Sequence, residues 1–90
     1  MSPRRVLLTD HARVQASRRG LDQETVLGVV EAPEQVVRVR EGREVRPSRV
    51  PSGSRGKMFL VRVVVDLRAG EAHVVTAYRT KKIDKYWRKT

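Results

Sequence analysis

Between residues 58 and 67 every second side chain is apolar: Phe59, Val61, Val63, Val65 and Leu67. That period fits a strand with one buried face, because successive side chains of an extended chain point to opposite sides. On a helix the same five would scatter around the whole circumference. Arg62 and Asp66 punctuate the opposite face. Arg68-Ala69-Gly70 then turns the chain back into a second strand over 72–78, forming a hairpin. Along that strand His73 is expected to alternate with Val75 and Ala77, leaving Thr76 and Tyr78 on the other face.

The upstream chain supplies partners for this hairpin. Val6-Leu7-Leu8 is a short apolar run, read as a first strand. Thr9 or Asp10 can cap a helix over about 11–18 that stops at Gly20. Asp22 caps a second helix, with Leu21 before it packing on Val26 as a staple. Val26, Leu27, Val29 and Val30 form its buried stripe, and Ala32-Pro33 ends it. The period then returns to two: Val37 and Val39 alternate with Arg38 and Arg40 in a half-buried strand. A weaker strand over 45–50 carries Pro47, which places it at an edge or a bulge because proline lacks a ladder donor. Residues 51–56 read as a flexible loop. Residues 80–90 read as a short helix capped by Thr80 or as a basic tail. The expected fold is α+β: two N-terminal helices packed on a sheet of about four antiparallel strands, in one domain spanning residues 1–90 with a basic segment over 79–90.

Several chemistries are excluded or disfavoured. There is no cysteine, so disulfides, zinc–thiolate sites and cysteine nucleophiles are ruled out. With two histidines and few clustered carboxylates, neither a metal site nor a paired-carboxylate site is expected, and no cofactor is implied. No stretch approaches the roughly 20 apolar residues of a membrane span, and no signal-peptide core follows the start, so a cytoplasmic protein without membrane partners is expected. Charge points elsewhere. Twenty Lys and Arg against ten Asp and Glu give +10, half of it in residues 61–90. Such an excess repels itself unless a polyanion relieves it, and nucleic acid is the usual one. The densest cluster is Arg79, Lys81, Lys82, Lys85, Arg88 and Lys89, interleaved with Tyr78, Tyr86 and Trp87. Cations hold phosphates and rings stack on unpaired bases. For Trp87 the competing reading is a core anchor.

Three stretches carry a resemblance: HARVQASRRG, LDQETVLGVVEAPEQVV and VVTAYRTKKIDKYWRK. Together they resemble a small family of unknown-function domains that open with a His-Ala…Arg-Gly helix and end in a Thr-x-Tyr strand, matched here by His11-Ala12…Arg19-Gly20 and by Thr76 and Tyr78. That family is similar to RelE-like toxins of the barnase–EndoU–colicin–RelE group. The resemblance implies a curved sheet whose face and C-terminal segment bind RNA or the ribosome, an acidic antitoxin protein that covers that face, and metal-independent endoribonuclease activity. A non-catalytic basic nucleic-acid-binding module of the same fold is the alternative. Such cleavage needs a base for the ribose 2′-hydroxyl, cations for the phosphate oxygens and an acid for the leaving 5′-oxygen. The resemblance implies His11 as the base, a neutral imidazole at a helix start. Arg18 and Arg19 would clamp phosphate beside it, and Arg79 and Tyr86 would complete the catalytic set. Tyr78, Lys81, Lys82, Lys85, Arg88 and Lys89 would bind the nucleic acid. Where the family often has an arginine four residues after the histidine, this chain has Gln15. The structural alternative for His11 is a histidine bonded to backbone, and His73 reads as packing or surface.

Overall fold

The computed structural model describes residues 5–51 and 56–87. Its elements in chain order are β1 (Arg5–Leu8), α1 (Asp10–Arg18), α2 (Gln23–Glu31), β2 (Val37–Arg40), β3 (Arg43–Pro51), β4 (Met58–Arg68), β5 (Glu71–Thr80) and α3 (Ile83–Tyr86). The five strands form one sheet in the order β1-β5-β4-β3-β2. The sheet is mixed, not a set of about four antiparallel strands, because β1 pairs in parallel with β5. Val6 and Leu8 of β1 add to the helix-side core, which is why so short a strand is kept.

Both long helices start where side-chain oxygens replace the missing backbone acceptors. Thr9 Oγ1 accepts from Ala12 N at 3.1 Å and donates to Val74 O at 3.0 Å, so the cap also ties α1 to β5. Asp22 Oδ1 accepts from Thr25 N at 2.7 Å, and this bond holds its carboxyl below the usual range. Ala12, Ala16, Leu21, Val26, Val29 and Val30 pack against Val61, Val63 and Val65 of β4 and Ala72, Val74 and Ala77 of β5. The core therefore lies on one sheet face, under α1 and α2. The other face is free of these helices, and residues near its end meet α3.

One irregularity decides what each face carries. Arg68 pairs with Glu71 and Val65 with Val74, but Val64 pairs with Thr76, so Val75 is an extra residue. The expected alternation of His73, Val75 and Ala77 is thereby broken. His73 lies opposite Asp66 on the open face, whereas Ala77 is buried under the helices. The turn joining β4 to β5 has Ala69 and Gly70 at positive φ (50° and 82°), the shape that matches strand twist in two-residue hairpins.

Two further expectations change. Val39 is 57% exposed, not half buried, because the register of β2 on β3 shifts between Arg38 and Arg40. Pro47 sits in an interior strand rather than at an edge or a bulge. β2 pairs only as far as Val45, and Pro47 O accepts from Gln35 N at 3.3 Å, so its missing donor faces a side where β2 forms no ladder. Of the loop expected over 51–56, residues 52–55 lie outside the described residues, as do Arg88 and Lys89.

Candidate functional site

The bulge at Val75 brings Arg62 opposite Tyr78 on the open face. Arg62 Nη1 donates to the Tyr78 hydroxyl. Its guanidinium carbon lies 5.5 Å from the Tyr78 ring centre and 4.8 Å from that of Tyr86. Tyr86 arrives on α3, a single turn after β5. Thr80 does not cap that turn. Its Oγ1 accepts from Lys82 N at 3.0 Å, and Lys82 occupies the cap position without a side-chain bond. Lys85 Nζ stands 5.4 Å from the Tyr86 ring centre, and the Arg19 guanidinium 5.8 Å from that of Tyr78. A row thus runs Arg19, Tyr78, Arg62, Tyr86, Lys85, alternating cation and ring. Arg62 Nε is buried without a hydrogen-bond partner among the described residues. A buried donor left unpaired costs about 1–3 kcal/mol.

Arg19 in the row and Arg49 near it also hold other partners. Arg19 follows α1 and donates from Nη1 to Ala77 O at 2.8 Å, closing the stretch of the β5 edge that β1 does not reach. Arg49 bonds Glu34 through Nη2 at 2.9 Å and Nε at 3.1 Å and stacks on Trp87 at 4.4 Å. Those bonds hold the Glu34 carboxyl below the ordinary carboxylate range. Trp87 is half-buried on Arg49 and is not part of the buried core.

Two paired carboxylates, Asp66 and Glu71, lie at the opposite end of the sheet. Asp66 takes two bonds from Arg43, at 2.6 and 2.9 Å, with Arg68 3.8 Å away. Glu71 is 3.7 Å from Arg5 and 3.3 Å from His73. By contrast Arg19, Arg62, Arg79, Lys81, Lys82 and Lys85 make no ion pair among the described residues. The positive excess is thus unneutralised where β4 begins and β5 ends.

The expected catalytic residues fall in three places. Tyr86 joins the open-face row. Arg79 pairs with Val61 and lies on the helix side, its guanidinium 5.3 Å from the Phe59 ring centre and beside Gly20. His11 is exposed in the first turn of α1, at the end tied to Val74. Eight residues separate it from Arg19, about 12 Å of helix axis. Among the described residues no hydrogen bond or ion pair joins His11 to Arg18, Arg19, Arg79 or Tyr86. Arg18 is exposed in the last turn of α1.

Arg62 is the functional candidate that sequence reasoning passed over. Its signal was a cation in the middle of a mostly apolar strand, but its partner depends on a bulge that no local pattern announces.

Residues 8–79 match DUF4258, a domain of unknown function. The chain belongs to this family. No curated protein and no solved structure matches the chain. The match agrees with the small unknown-function family that the His11 helix and the Tyr78 strand resemble. Within the DUF4258 span fall Arg19, Arg62, Tyr78 and Arg79, whereas Lys85 and Tyr86 follow it. The Arg62–Tyr78 pair thus lies within the matched span, and α3, which follows it, lays a second ring on Arg62. Among the described residues no group of three or more His, Asp or Glu side chains could hold a metal ion, and no helix is long and apolar enough to cross a membrane.

Proposed function

We propose that this DUF4258 domain is a RelE-like RNA-binding protein of the toxin type, with single-stranded RNA seated on the open sheet face around Arg62. The observation that carries the reading is the guanidinium of Arg62, held between two tyrosine rings and making no ion pair among the described residues. Phosphate supplies the missing counter-charge, and the rings offer faces to unstacked bases. Fluorescence anisotropy with a labelled single-stranded RNA tests it. Arg62→Gln and Tyr86→Ala are expected to weaken binding at least tenfold while circular dichroism stays native. Folded variants that bind like the parent would overturn the reading.

Cleavage is a second reading, favoured by the hydrogen bond between Arg62 and the Tyr78 hydroxyl. A hydroxyl beside a guanidinium supplies two of the parts that metal-independent transfer requires: an oxygen to relay the 2′ proton and a cation for the phosphate oxygens. In this reading Arg62, Tyr78 and Tyr86 replace the expected set of His11, Arg19, Arg79 and Tyr86. Tyr78→Phe should then retain binding and lose cleavage of free or ribosome-bound RNA. An acidic antitoxin covering this face should relieve growth arrest on co-expression. Intact RNA in both assays leaves binding alone.

A further inference from the structure

Tyr78 and Arg79 are consecutive in β5, so their side chains leave the sheet on opposite faces. Each face carries a ring with an ion-pair-free guanidinium: Arg62 with Tyr78 and Tyr86 on the open face, and Arg79 with Phe59 on the helix side. Between them the chain leaves β5 through Lys81. This lysine lines a cleft of about 360 Å³ with Phe59, Arg79 and Thr80. It also lines one of about 560 Å³ against α3, where Arg49, Lys82 and Lys85 outnumber the single carboxylate, Asp84. A third cleft, of about 270 Å³, joins it to Lys57. Lys57, Lys81 and Lys82 make no ion pair among the described residues.

We propose that one RNA strand passes over the end of the sheet, from the open face at Arg62, across Lys81, to the helix side at Arg79 and Phe59. The inference rests on the RNA-binding reading and adds the path and the length of the ligand: a flexible single strand long enough to reach both faces. A stiff A-form duplex cannot wrap the end of a sheet, and its bases are not free to stack on the rings. A strand on this path places phosphates beside Arg62, Lys82 and Lys85, then Lys81, then Arg79 and Lys57. Each neutralised phosphate of a single strand adds about 0.7 to the salt slope of log affinity.

The test compares a single-stranded RNA of about ten nucleotides, a length single-strand grooves commonly accept, with one of about three. A hairpin duplex is the third ligand, and parent, Arg79→Gln and Lys81→Gln proteins are titrated at several salt concentrations. Arg79→Gln is expected to weaken the long strand about tenfold and lower its salt slope by about 0.7, leaving the short strand unchanged. Lys81→Gln should act in the same direction, which guards against a folding defect peculiar to Arg79. Equal losses for both lengths, no loss for either, or duplex binding as tight as the long strand each overturn the path. Failure of the parent protein to bind any single strand overturns the RNA reading itself and is distinct from those results.

Discussion

Replacing Arg46 by Met is expected to lower stability by about 4 kcal/mol. Arg46 is 7% exposed and lies on the helix side of β3. Its Nη1 donates to Val30 O at 2.6 Å, and its Nε and Nη2 donate to Glu44 Oε1 at 3.1 and 2.9 Å. It thus fastens the end of α2 to the sheet. Methionine keeps much of the apolar stem but leaves two groups behind. Breaking a buried pair costs about 3–5 kcal/mol because the surviving charge is uncompensated. The lost bond to the Val30 carbonyl adds about 1–3 kcal/mol. The Glu44 side chain retains 14% exposure, so water relieves part of the first cost and the sum settles near the lower end. At about 4–8 °C per kcal/mol for a domain of this size, the melting temperature should fall by roughly 15–30 °C. Urea titration followed by circular dichroism measures the same loss. In the double variant Arg46→Met with Glu44→Leu no charge is stranded, so at least half of the loss should return, a coupling of about 2 kcal/mol. A single variant within about 1 kcal/mol of the parent, or a double variant no better than the single, would refute the assignment of an uncompensated Glu44 charge.

Three further outcomes are expected. The bonds from Arg43, with smaller contributions from Arg68 and Arg40, hold the Asp66 carboxyl below its usual value of 3.8. A depressed folded-state value means that its stabilisation is complete above the unfolded value and fades as pH falls through the folded one. Acid titration of stability should therefore be flatter below about pH 4 in Asp66→Asn, and an unchanged acid limb would contradict this. Thr9→Ala should cost about 1–2 kcal/mol in urea unfolding, since it removes the α1 cap and the bond to Val74 together. His11→Ala should leave stability within about 0.5 kcal/mol and RNA affinity unchanged, because His11 is exposed and has no partner among the described residues. A large loss of affinity there would return the imidazole to the site.

Local signals placed the elements because each rests on nearest-neighbour chemistry. The apolar period over 58–67, the caps at Thr9 and Asp22 and the stop at Ala32-Pro33 are short-range effects, and the helices and the hairpin follow from them. The charge excess near the C terminus was equally legible, since composition needs no fold. What the sequence by itself determined, then, is an α+β domain with a strongly cationic end.

The sides on which those cations stand depended on register, which is a long-range property. An unbroken hairpin would carry the alternation of Ala72 and Val74 onward, placing Tyr78 under the helices and Arg79 in the open. The extra residue Val75 reverses that order, pairs Arg62 with Tyr78 and sends Arg79 to Phe59. Nothing within a few residues of Val75 dictates the bulge. Burial of Ala72, Val74 and Ala77 together against α1 and α2 accommodates it, and that burial exists only once the helices pack. The separation of His11 from the basic end has the same origin. One helix length lies between Thr9 on Val74 and Arg19 on Ala77, and only the docked α1 turns that sequence spacing into distance across the sheet.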